Sequence, residues 1–134
     1  MIDLDAYTIR IFLHLLGVTV WVGGQIVMAA LVPAIRGLGP DAAKIAANRF
    51  GQVAWPFYAL LVVTGIWNLF EVDLGSVSAG YHMTLGIKLL LVALSGVAAF
   101  VHSTTKSRVV MAVTGGGGFV AAVGAFVCGV LMVT

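Results

Sequence analysis

Long apolar runs separated by short polar stretches organise the chain. Residues 6–35 form the first run, closed by Pro33 and the Arg36-Gly37 pair, and further runs cover 50–70, 81–103 and 109–133. A helix needs about 20 mostly apolar residues to cross the hydrocarbon core of a bilayer. The pattern therefore predicts four membrane-spanning helices. Asp3 and Asp5 precede the first run where a signal peptide would carry a basic region, so it reads as a retained helix. Residues 39–48 are polar and alanine-rich, which predicts a short interfacial helix or a helical extension. Pro56 falls in the first turns of the second span, where its missing backbone donor costs least. Residues 71–80 read as a polar loop. The run Thr114-Gly115-Gly116-Gly117-Gly118 lies inside the fourth span. Glycine weakens a helix, so either a local break or a helix held by its neighbours is expected there.

Composition fixes the class. Of 134 residues, 61% are hydrophobic and 9% charged, against about 25% charged in soluble domains; the mean hydropathy is +1.12. The expected fold is all-α: an integral membrane four-helix bundle forming one domain over residues 1–134, with lipid as its main partner. The net charge of +2 comes from seven basic and five acidic side chains. These form no basic stripe on a soluble face, so nucleic acid is excluded as a partner. The single cysteine, Cys128, rules out an internal disulfide and a CxxC metal site. With no phosphate loop, no Ser-His-Asp set and no paired carboxylates, soluble hydrolase chemistry has no support.

The basic residues set an expected orientation. Arg36, Lys44 and Arg49 lie in the first connection and Lys106 and Arg108 in the third, whereas the second carries only Glu71 and Asp73. The positive-inside rule places both basic connections in the cytoplasm and both termini outside. The expected location is the cell membrane, of the bacterial or archaeal inner-membrane kind.

Polar residues at membrane depth are the candidates for function, because burying them in lipid is expensive. His14 shares a helical stripe with Gly17, Trp21, Gly24 and Met28. Glycines beside a histidine leave space for a flat group, and imidazole commonly ligates heme iron. The same stripe also suits plain helix packing, with His14 bonded to a neighbouring hydroxyl or backbone group. On the third span Lys88, Val92, Ser95, Ala99 and His102 share one face. Lys88 either snorkels to the headgroups or holds a propionate or another anion in the bundle. If helices one and three both run inward, His14, His82 and Lys88 lie at the outer level. His102 lies about 21 Å from Lys88 along the helix, at the inner level. Gly117, Ala121, Gly124 and Cys128 form a small-residue stripe on the fourth span, read as a packing seam. Arg10 is placed at the outer boundary.

The segments FLHLLGVTVWVGGQIVMAALVPAIR, RFGQVAWPFYALLVVTGIWNLF and YHMTLGIKLLLVALSGVAAFVH resemble the first three helices of the CopD-like copper-resistance family and of HemJ-type protoporphyrinogen oxidases. The likeness rests on His14 with Trp21, Gly23 and Gly24, on Thr64-Gly65, and on Gly86 with Lys88. It covers about the first 105 residues. It implies a four-helix membrane bundle that holds heme b, with His14 as the matching histidine and Lys88 as the matching lysine. His102 stands about one turn later than the HemJ pattern has its histidine.

Together these readings give a heme b-binding membrane protein in electron transfer or redox chemistry. Its cofactor-binding candidates are His14, His82, Lys88, His102, Gly17, Trp21 and Gly24, and the metal-ligating ones among them are His14, His82 and His102. A redox partner protein and a homodimer are the expected partners. Three alternatives stand beside this. One is a copper transport or tolerance protein using His14, Met28 and Met83, one a HemJ-like oxidase, and one a structural subunit of a membrane complex.

Overall fold

In the computed structural model, which describes residues 3–134, every long apolar run is helical and the described residues contain no strand. The elements are α1 (Ala6–Val18), a π-helical turn (Thr19–Gly23), α2 (Gly24–Arg36), α3 (Ala42–Glu71), α4 (Ala79–Thr104) and α5 (Arg108–Val133). Because α1, the π-turn and α2 follow without interruption, four helices are long and apolar enough to cross a membrane: Ala6–Arg36, Ala42–Glu71, Ala79–Thr104 and Arg108–Val133. The fold class is all-α. Large apolar side chains such as Phe12, Val63, Leu90, Phe100 and Val120 are exposed on these helices. That is the surface a protein presents to lipid rather than to water.

Local chemistry sets the helix starts. The Asp5 carboxylate accepts from the Thr8 backbone N–H at 2.8 Å and from the Thr8 hydroxyl at 2.8 Å, capping α1. These bonds hold its carboxyl below the usual carboxylate range. Ser78 and Ser107 cap α4 and α5 in the same way, accepting from the N–H groups of Tyr81 at 3.1 Å and Val110 at 3.3 Å. Between α2 and α3, Gly39 has φ +154°, a conformation that side chains rarely adopt.

Two sequence expectations shift, and a third is resolved in favour of one of its two alternatives. Residues 42–48 are a helical extension of α3, so Pro56 lies in the helix interior rather than in its first turns. Pro33 does not close the first helix, which continues to Arg36. The glycine run 115–118 makes no break: α5 is continuous from Arg108 to Val133. Neighbouring residues hold it, since Gly118 is buried and a Cβ there would stand 3.0 Å from Ala98 Cβ.

The chain divides into two compact units, Met1–Val72 and Asp73–Thr134, each built on an antiparallel pair of helical spans. In the first, α1 and α2 pack along α3. Gly17 permits the closest approach: a Cβ there would lie 2.9 Å from Leu61 Cβ, Leu61 N and the Phe57 carbonyl oxygen. In the second, α4 packs along α5. Ala121, Ala122, Ala125 and Cys128 are buried, and a Cβ on Gly124 would meet Leu91 Cδ1 at 3.0 Å. The small-residue seam on α5 therefore exists but is entered through Gly118. Gly117, expected to start it, has open space beside it.

Candidate functional site

The first unit holds a ladder of polar side chains between α1 and α3. His14, half-buried, places Nδ1 3.0 Å from the Thr64 hydroxyl oxygen. Thr64 is 2% exposed, and its own hydroxyl lies 2.6 Å from the Leu60 carbonyl oxygen, which can only accept. The single hydroxyl proton therefore goes to Leu60, and His14 Nδ1–H donates to Thr64. In the neutral ring the proton then sits on Nδ1. A fixed Nδ1–H with the lone pair on the other nitrogen is the arrangement in which histidine ligates metals. Gly65 lies against the same ring, with its would-be Cβ 3.4 Å from Cε1.

Arg10 and Asn68 complete the ladder. Arg10 stands one turn before His14 on α1, while Thr64, Asn68 and Glu71 recur at steps of four and three on α3. Arg10 Nη1 lies 3.6 Å from Glu71 Oε2, with side chains 11% and 53% exposed. Arg10 Nε and Asn68 Oδ1 are both buried without a hydrogen-bond partner. Sequence reasoning assigned Arg10 to the outer boundary and passed over Thr64 and Asn68. The periodicity of polar residues along α3 is the signal that marks them.

Trp21 is 4% exposed. Its ring centroid lies 5.2 Å from Trp55 and 4.4 Å from Tyr58, and those two stand 5.5 Å apart in a T-shaped contact. It sits in the π-turn, whose wider backbone a strict helical period does not foresee. Gln25 Nε2 donates to the Trp21 carbonyl oxygen at 3.0 Å. Gly17 and Gly24 face α3 as well: a Cβ on Gly24 would meet Phe50 Cε2 at 2.6 Å. The space those glycines make is thus filled by α3, and a flat cofactor at His14 would have to lie along another side of the helix.

The remaining candidates belong to the second unit. His82, near the start of α4, is exposed. Lys88 is half-buried along α5, with Nζ 3.4 Å from the would-be Cβ of Gly129. His102 is exposed, and its Nδ1 lies 2.7 Å from the Met111 carbonyl oxygen. A carbonyl only accepts, so His102 is also an Nδ1–H tautomer. Its ring also lies beside a glycine, with the would-be Cβ of Gly115 3.0 Å from Cε1. The two units therefore orient a histidine in the same way: Nδ1 on an oxygen of the facing helix, and the ring edge on a glycine that follows a threonine.

Among the described residues no group of three or more His, Cys, Asp and Glu side chains could hold a metal ion. His14 and Met28 lie in one continuous helical span, about 20 Å apart along its axis, and cannot share one ion. Heme asks less of the chain, because the porphyrin supplies four nitrogens and one oriented imidazole suffices as an axial ligand. The His14–Thr64 pair orients one such imidazole.

No family model matches the chain, and no curated protein or solved structure is significantly similar to it.

Proposed function

We propose that this is a multi-pass membrane protein that binds heme b through His14 and serves in electron transfer. The observation that carries this is the His14–Thr64 hydrogen bond of 3.0 Å, which fixes the imidazole tautomer in a membrane-length helix. The resemblance of the first three helices to CopD-like and HemJ-type proteins adds to it. Bound heme supplies a one-electron couple between ferric and ferrous iron. His14 would be the axial imidazole, with Thr64 holding its ring through Nδ1, and the apolar spans would keep water from the site. In the membrane, both termini lie on the extracytoplasmic side and the basic connections face the cytoplasm, by the distribution of Arg36, Lys44, Arg49, Lys106 and Arg108.

Purified protein in detergent should take up hemin and develop a Soret band that His14→Ala abolishes or shifts strongly. Protein that stays colourless after hemin is added overturns the reading.

Two observations favour a second reading, the first being that His14 bonds to a neighbouring hydroxyl, as plain helix packing predicts. Gly17 and Gly24 are spent on contact with α3, as a purely structural subunit of a membrane complex would use them. Colourless, metal-free protein that co-purifies with a defined partner supports that role. Copper handling through His14, Met28 and Met83 has less support, since His14 and Met28 are far apart on one helix; metal analysis of the purified protein tests it.

A further inference from the structure

Arg10 lies inside the first span, and its hydrogen-bonding capacity is not used up. A strong ion pair between guanidinium and carboxylate has N···O near 2.7–2.9 Å and is often bidentate. The Arg10–Glu71 contact is a single approach of 3.6 Å, to a carboxylate that is 53% exposed and so largely solvated. It involves Nη1, on the side of the guanidinium away from the edge formed by Nε and Nη2. Nε on that edge is buried and has no acceptor. On the facing helix, Asn68 Oδ1 is buried and has no donor. Asn68 is one turn from Thr64 on α3, and Arg10 is one turn from His14 on α1. The two orphaned polar groups therefore stand on facing helices, at the level next to the oriented imidazole.

Leaving such groups buried and unpaired is costly, and more so when they are charged. A second carboxylate removes the Arg10 share of that cost by accepting from its Nε edge, and the Asn68 amide, once rotated, donates Nδ2–H to it. We propose that Arg10 and Asn68 form a carboxylate-binding subsite that takes an acid side chain of the porphyrin held by His14. This rests on the heme reading above. It gives Arg10 and Asn68 an anchoring role of the kind the sequence suggested for Lys88.

The test compares hemin with its dimethyl ester, in which both acid side chains are masked, by Soret titration of the detergent-purified full chain. Wild type should bind hemin at least about tenfold more tightly than the ester, as one charge-assisted hydrogen bond allows. Arg10→Met should remove that preference while keeping a His14-dependent Soret band. Arg10→Lys should recover little of it, because an ammonium lacks the planar edge. Asn68→Leu should reduce it, and it decides the matter if Arg10→Met does not fold. Glu71→Gln should retain the preference, since Glu71 meets the opposite side of the guanidinium. Equal affinity of wild type for both compounds, or a preference that survives Arg10→Met and Asn68→Leu, overturns the subsite and leaves the His14 reading intact. Absence of a Soret band with either compound overturns the heme reading and the subsite with it.

Discussion

Thr64 accepts from His14 Nδ1 at 3.0 Å while giving its own proton to the Leu60 carbonyl at 2.6 Å. One hydroxyl thereby ties the imidazole of α1 to the backbone of α3 and decides which ring nitrogen is protonated. Replacing Thr64 by Val keeps the shape and removes the acceptor. Loss of such a supporting partner typically weakens a metal–histidine bond about 10- to 100-fold. Thr64→Val should weaken hemin binding by that order in a Soret titration, and Thr64→Ser should restore most of it. If Val and Ser behave alike, Thr64 does not act through its hydroxyl.

The glycines should separate into two classes. A Cβ on Gly17 would lie 2.9 Å from two backbone atoms of α3, which cannot swing aside as a flexible side chain can. Gly17→Ala should therefore push α1 from α3 and destabilise the fold by about 1–3 kcal/mol, the usual range for overpacking. Gly116 and Gly117 have nothing within 4 Å. Alanine at either should be neutral or stabilise by up to about 1 kcal/mol through helix propensity. Unfolding in mixed detergent micelles measures both. Equal losses at Gly17 and Gly117 would contradict the packing described for α1 and α3.

The spans were legible in the sequence because a bilayer demands long apolar runs, and that demand overrides local propensity. Four successive glycines and an interior Pro56 do not break α5 or α3. The His14 stripe was legible as a face but not in its use. Spacing shows that Gly17, Trp21 and Gly24 line up; it does not show whether the gap beside them admits a cofactor or a neighbouring helix. The partners of His14 were hidden for another reason. Thr64 is 50 positions away in the chain, and only the antiparallel register of α1 and α3 brings it level with His14; Asn68, one turn on, is hidden by the same separation. The π-turn at Trp21 was invisible because a reading at 3.6 residues per turn assumes it away.

The cap on α1 should respond to acid. Hydrogen bonds from Thr8 lower the Asp5 carboxyl below its ordinary 3.8. A carboxylate with a lowered folded pKa stabilises the fold above its unfolded value, and that contribution is lost as pH falls through the folded value. The first turn of α1 should therefore be closed from neutral pH down to about 4 and fray only in more acidic solution. Amide hydrogen exchange at Thr8 and Ile9 reads this out. Asp5→Asn should keep the cap while removing its acid sensitivity, and Asp5→Ala should raise exchange at all pH values. Unchanged exchange in Asp5→Ala would show that the cap does not hold the turn.

His102 offers an independent check on how these helices orient imidazoles, one that needs no cofactor. Its Nδ1 donates to the Met111 carbonyl at 2.7 Å, and the would-be Cβ of Gly115 lies 3.0 Å from Cε1 and 3.1 Å from Nδ1. A methyl group there must displace the ring, and the ring cannot move without lengthening the bond to Met111. ¹⁵N spectra of histidine-labelled protein should show His102 as an Nδ1–H tautomer in the wild type. Gly115→Ala should mix in the Nε2–H form, while Gly116→Ala, facing open space, should leave the signal unchanged. His14, held by Thr64 on other helices, should keep its own Nδ1–H signature in both variants. A wild-type His102 protonated on Nε2 would contradict the hydrogen bond to Met111 and the role given to Gly115.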